Sequence, residues 1–411
     1  MKEKLFTRNF TLLILGQVSS LIGNYSLKFA LSMYILEQTG SASVFAGITA
    51  VSMLPMILFS PFGGILADRA DRRNIMDALD MLSGLCVLSA SFLLPSGKSL
   101  TVIGLLLVIL SVLGAFESPT VQACVPQMLA GDNILKGNAI VSQVQAVASL
   151  IAPFSGSIFY TAFGIRPVLY ASAVCFFLTA LLECFIRLEY IKSGHKSGIS
   201  SVIKTDFSAS MQFLFRVQTS VLKLLLLAAL ISMFLSGILM VGFPYLVRTV
   251  LGLSAEHYGA AESAMGIAAI AGSIAIGVAA GKLRTRYMTV LISASGICLF
   301  PAGLIFITSA SPFVKYLVLL LAFCCCQFIC SMFSVYALSL IQQRTPEHLT
   351  GKVMSYVYTI SLCAQPVGQM IYGVLFDVFS DSICLVLIPS GLLICTAGIM
   401  SSGFFRRLET F

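Results

Sequence analysis

Apolar stretches of roughly 20 to 30 residues recur along this chain, and roughly 20 apolar residues in helical form span the hydrocarbon core of a bilayer. They run around 9 to 37, 42 to 67, 74 to 95, 100 to 129, 138 to 162 and 167 to 187, then around 221 to 247, 256 to 280, 287 to 309, 313 to 342, 352 to 376 and 382 to 404. Backbone polar groups in lipid must be satisfied internally, so unbroken runs of this length read as helices. The expected fold is an all-α integral membrane protein with twelve transmembrane helices. A chain of 411 residues with 58% hydrophobic residues, 10% charged residues and a mean hydropathy of +0.97 fits no soluble enzyme, disulfide module or disordered chain.

The stretches fall into two sets of six, with one long polar segment between them. The expected organisation is therefore a first bundle over 1–187, a cytoplasmic linker over 188–220 and a second bundle over 221–411. Faint similarity relates the halves: Gly64 to Arg73 follows the second span, and Gly281 to Arg286 follows the eighth. Such pseudo-symmetric repeats mark many transporter folds. The basic amino terminus runs into an apolar stretch without an A-x-A-like site, so the first helix is expected to be retained.

Charge placement orients the helices, because Lys and Arg collect in cytoplasmic loops. With the amino terminus inside, 20 of the 25 Lys and Arg lie on the cytoplasmic side; only Lys98, Arg166, Arg248 and Lys315 lie outside, and Lys28 sits within the first span. Both termini are expected in the cytoplasm. The net charge of +8 then reflects this rule and contact with membrane lipid, not nucleic acid. Most of the 12 Cys fall inside spans and read as small packing residues. No metal site, disulfide framework or cofactor is expected.

Polar residues inside spans are candidate functional groups. Gln17, Asn24 and Lys28 lie within about 40° of one another on a helix and form one stripe. Lys28 faces either a central cavity or the outer interface. Glu117 in the fourth span is the candidate proton-coupling carboxylate, or else a structural acid near Pro119. By helical rise, Glu117 lies about 18 Å and Lys28 about 28 Å from their cytoplasmic ends, so direct pairing would need Lys28 to lean inward by about two turns. Asp77, Asp80 and Glu183 are expected to pair with Arg69, Arg72, Arg73 or Arg187, and Glu262 to sit in a small-residue packing face. Tyr358, Gln365 and Gln369 share a face of the eleventh span, with Gln327 and Ser331 on the tenth. They line a substrate path or bond helix to helix.

The turn after the second span reads Gly63-Gly64-Ile65-Leu66-Ala67-Asp68-Arg69-Ala70-Asp71-Arg72-Arg73. It resembles the cytoplasmic signature of the major facilitator superfamily, with Gly64, Leu66, Asp68, Arg69, Arg72 and Arg73 on matching positions and Asp71 where that signature has Gly. The resemblance implies a gate: Gly64 admits a close helix, and Asp68 and the arginines hold the cytoplasmic side shut against the start of the eleventh span, near Gly351 and Lys352. Ala152-Pro153-Phe154-Ser155-Gly156-Ser157 resembles the G-P-x-x-G-G element of antiporters; Pro153 and Gly156 are its kink and packing residues. Leu15-Gly16-Gln17-Val18-Ser19, Phe116-Glu117-Ser118-Pro119, Gly164-Ile165-Arg166 and Leu349-Thr350-Gly351-Lys352-Val353 resemble the macrolide-efflux branch.

The resemblance implies the major facilitator fold and a monomer in the bacterial cytoplasmic membrane, exporting an amphipathic small-molecule substrate by antiport with protons. A uniporter, importer, lipid flippase or transport-inactive sensor of the same fold remains as an alternative. No G-x-x-x-x-G-K-[ST] loop offers ATP coupling. His195, His257 and His348 fall in predicted loops, and no nucleophile and base sit together in the spans, so an intramembrane enzyme is disfavoured.

Overall fold

The computed structural model describes residues 5–94, 99–188, 219–279, 285–345 and 347–409, which are helical with no strand among them. The segment expected to be a linker lies almost wholly outside these residues. In chain order the helices are α1 (Arg8–Thr39), α2 (Ala42–Arg69), α3 (Arg72–Leu93), α4 (Ser99–Met128), α5 (Asp132–Phe163) and α6 (Ile165–Cys184), then α7 (219–250), α8 (Ala255–Ala279), α9 (Tyr287–Ile307), α10 (Pro312–Arg344), α11 (Glu347–Val378), α12 (Cys384–Met400) and the short α13 (Ser402–Glu409). Among the described residues, 12 helices are long and apolar enough to cross a membrane, and the protein is a multi-pass membrane protein.

Local sequence sets the helix ends. Thr7 opens α1 by accepting from the Phe10 N–H at 3.2 Å, and Gly40 closes it in a left-handed conformation at φ 60°, its N–H donating to the Leu36 carbonyl at 2.8 Å. Asp71, the departure from the signature, caps α3 by accepting from the Arg73 N–H at 3.1 Å.

The chain divides into two compact units. The first holds α1, α2 from Ile48 onward, α3 to α6 and the start of α8 through Ser263; the second holds Ser41–Gly47, α7, the remainder of α8 and α9 to α13. In the first, small residues bring α1 onto α6: Thr179 Oγ1 donates to the Gly16 carbonyl, Ser172 Oγ to the Gly23 carbonyl, each at 3.0 Å, and Ser19 Oγ to the Cys175 carbonyl at 2.9 Å. Phe10, Leu13, Met76, Cys124 and Val125 form a buried apolar cluster near the Arg72 end of the unit.

Pairings of the first unit recur in the second. The packing of α1 on α5, α3 on α6 and α3 on α4 is matched by α7 on α11, α9 on α12 and α9 on α10. Close approaches again use glycine: a Cβ on Gly296 would lie 2.6 Å from the Gly391 carbonyl oxygen, and one on Gly237 would run into the Tyr372 ring. The helix α7 winds into π-helical turns at Gly237–Gly242 and Leu246–Val250. Such turns shift the helix face by one residue and recur at functional sites.

Candidate functional site

Within the second unit, α7, α10 and α11 line an open-sided cavity of about 580 Å³, in the range of small-molecule pockets. Its wall is mainly apolar, with Leu235, Leu239, Phe333 and Ile341 prominent, and its polar groups are Ser232, Ser236, Gln327, Ser334, Ser361 and Gln365. It lies beside the π-helical turn that starts at Gly237. An apolar wall with a few amide and hydroxyl groups, and no ionised side chain among the described residues of its lining, suits a hydrophobic or amphipathic ligand. Ser236 Oγ donates to the Gln365 carbonyl at 3.2 Å and ties α7 to α11 at the cavity wall.

Of the candidates in this half, Gln327 and Gln365 come together in the cavity wall. Gln369, one turn further along α11, is buried at 5% exposure and stands outside the lining. The Tyr358 side chain lies outside the described residues. Ser331 packs helix on helix, donating to the Ala269 carbonyl at 2.7 Å and sharing a hydrogen bond with Ser273 at 2.7 Å.

In the first unit the polar stripe of α1 runs from buried to open. Gln17 is 3% exposed with an unpartnered Nε2, Asn24 is half-buried and Lys28 is exposed. Lys28 and Glu117 interact electrostatically, yet no contact ion pair joins them among the described residues. Ser20 Oγ donates to Asp80 Oδ1 at 3.0 Å, and the Glu117 carboxyl group lies beside Ser20.

The arginine pairing expected for Asp80 and Glu183 is overturned. Arg73 donates to the main-chain carbonyls of Glu183 at 3.3 Å and Cys184 at 2.5 Å, and Arg72 to those of Ala67 and Ala123, each at 2.7 Å. These carbonyls near helix C-termini attract guanidinium groups strongly. Asp80 and Glu183, 0% and 1% exposed, instead bring their carboxyl groups within hydrogen-bond range of each other. Asp77 accepts from Cys184 Sγ at 3.4 Å.

In the signature turn, the side chains of Asp68 and Arg69, and of Gly351 and Lys352, lie outside the described residues. Beside Gly64, Gly63 makes a tight approach of its own: a Cβ there would meet the Ala115 carbonyl, Pro119 and Phe116, whereas one on Gly64 would meet nothing within 4 Å among the described residues. The two positions are about 100° apart around the helix, and it is Gly63 that faces α4. On α5, a Cβ on Gly156 would lie 3.1 Å from Ser26, whose Oγ donates to the Ala152 carbonyl at 3.2 Å, so the Pro153–Gly156 element seats α5 on α1. Glu262 bonds Tyr258, whose ring stacks on Phe29 at 5.2 Å, and neighbouring Gly259 packs on Ser157.

Asp377 near the end of α11 was not among the sequence candidates, because it falls just past the eleventh apolar stretch. Its carboxylate accepts from the main-chain N–H groups of Ala42 at 2.7 Å and Ser43 at 2.9 Å, and from the hydroxyls of Ser41 at 2.6 Å and Ser43 at 2.5 Å. It thus caps the positive end of α2 with a full charge. The available signal was Ser-x-Ser at a helix start, which leaves orphan N–H groups seeking an acceptor.

The Major Facilitator Superfamily profile matches residues 13–368. Macrolide efflux protein A of Streptococcus pyogenes is 24% identical over 395 residues, covering 93% of this chain and 92% of that protein. BacE of Bacillus subtilis, named for bacilysin export, is 25% identical over 241 residues, covering 58% of this chain and 59% of its own length. Among solved structures, the nucleoside transporter NupG aligns with a TM-score of 0.75 at 11% identity over 96% of this chain and 99% of that one. A bacterial homologue of the iron transporter ferroportin aligns with a TM-score of 0.72 at 15% identity over 96% and 98%. At these identities the solved structures show the fold alone.

Proposed function

The chain belongs to the major facilitator superfamily and is a transporter, not an enzyme, and on that premise we propose that it exports hydrophobic or amphipathic small molecules from a bacterial cytoplasm in exchange for protons. The cavity between α7, α10 and α11 carries this reading. Its apolar wall binds a nonpolar framework, while Gln327 and Gln365 offer donors and acceptors to ring oxygens, hydroxyls or amides. Relatives named for efflux, one of them similar along nearly the whole chain, support the outward direction.

The coupling group in this reading is Glu117, with Lys28 as the cation that its charge addresses. Protonation of Glu117 removes a negative charge beside Lys28, which alters both the field in the transport path and the cost of burying the carboxyl group. Each proton returning inward supplies about 2.3 kcal/mol per 100 mV of membrane potential. Alternating access then presents the cavity to one side at a time, with the Gly64–Arg73 turn on the cytoplasmic face as its gate and both termini in the cytoplasm.

The test is uptake of a panel of amphipathic drugs and dyes into inverted vesicles. Filling the cavity with Ser232→Phe is expected to lower uptake by at least about tenfold, the equivalent of about 1.4 kcal/mol of lost binding. Unchanged uptake in a variant that folds would remove the cavity from the transport path.

A further inference from the structure

Asp80 and Glu183 form a buried carboxyl pair that the transport reading leaves unused. Asp80 Oδ1 accepts from Ser20, but Asp80 Oδ2 and both Glu183 carboxyl oxygens receive no hydrogen from any donor among the described residues. The charged and titratable neighbours among the described residues are engaged elsewhere or are themselves acids. On α3, Asp77 is itself an acid; on α4, Glu117 is another, and Cys124 has its sulfur on Met76 at 3.6 Å; on α6, Thr179 is bonded to main-chain carbonyls. The guanidinium groups of Arg72 and Arg73 are turned to main-chain carbonyls, and Lys28 addresses Glu117.

Two ionised carboxylates at this burial, with no cation between them, would repel across a low-dielectric gap. A proton carried by the pair supplies a donor between their oxygens and removes that repulsion. Ser20 adds the connection, since its hydroxyl donates to Asp80 and lies beside the Glu117 carboxyl group.

We propose that Asp80 and Glu183 share one proton at rest and take up a second from Glu117 through the Ser20 hydroxyl. In the inward step, Glu117 gives its proton to Ser20 Oγ while Ser20 passes its own to Asp80, leaving Glu117 ionised beside Lys28, the serine neutral and the pair carrying two protons. The reverse sequence reloads Glu117, and no atom or charge is left over. The pair is thus a proton store between Glu117 and the Arg72–Arg73 end of the bundle. The inference rests on the antiport reading for its purpose, and on the pair's geometry for its existence.

Infrared difference spectroscopy on the purified full-length protein at neutral pH tests it. The expected result is a protonated-carboxyl C=O band in the wild type that is lost in Glu183→Gln, whose amide donates to Asp80 in place of the shared proton. Asp80→Asn serves as the second variant if the first does not fold. After transfer to D2O, Ser20→Ala is expected to slow deuteration of that band about tenfold, the equivalent of a 1.36 kcal/mol higher barrier.

A band of unchanged intensity in the folded variants would overturn the shared proton, and unchanged deuteration in Ser20→Ala would overturn the route through Ser20. Neither readout requires transport. Gradient-independent drug uptake alongside both expected infrared results would therefore refute antiport and leave the proton pair standing.

Discussion

A Cβ on Gly63 would press on the Ala115 carbonyl and Pro119, while one on Gly64 would meet open space. Gly63→Ala is expected to lower stability by about 1–3 kcal/mol through overpacking. Gly64→Ala should leave it within about 0.5 kcal/mol; thermal unfolding in detergent compares the two. The signature turn was readable from its residue order, but the seat of Gly63 on α4 depends on how the two helices are rotated, and that rotation is not written in a motif. Asp377 makes a similar point. Its carboxylate holds two N–H groups and two hydroxyls at the start of α2, so Asp377→Ala should cost about 1.5–3 kcal/mol, the worth of hydrogen bonds to a charged group. A midpoint shift no larger than that of a surface control would contradict this.

Helix pairs show how small residues and hydroxyls divide the work. Between α1 and α6, Thr179 donates to the Gly16 carbonyl, while Gly23 lets Cys175 approach until an added Cβ would stand 2.8 Å from it. Interhelical hydrogen bonds in membranes average about 0.6 kcal/mol, so Thr179→Val should be mild. Gly23→Leu should cost more, about 1–3 kcal/mol, and unfolding in a denaturing detergent titration ranks them. The reverse order would mean that polar bonding, not close packing, holds this pair. The helices themselves were plain in the sequence, because each must supply an apolar run of bilayer length. The π-helical turns of α7 were not: Pro244 lies between them and Arg248 within the second, but the glycines of the first answer to Tyr372 and Phe376 on α11, which only the packed structure brings against them.

Six helices per half, basic loops and the signature turn were enough to reach the family from residues alone, and the profile match over 13–368 carries the same conclusion. The cavity was only half visible. Gln327 and Gln365 were candidates, yet the wall they share also needs α7, whose Ser232 and Ser236 look like ordinary span residues. The carboxyl pair was misjudged because Asp80 and Glu183 sit near arginines in sequence and meet each other only once α3 packs on α6. The measurement that bears most directly on export by proton antiport is drug uptake into inverted vesicles, with and without an imposed pH gradient, for wild type and Glu117→Gln. The account expects uptake that rises with the gradient in the wild type and loses that dependence in the variant. Uptake indifferent to both gradient and substitution would contradict it.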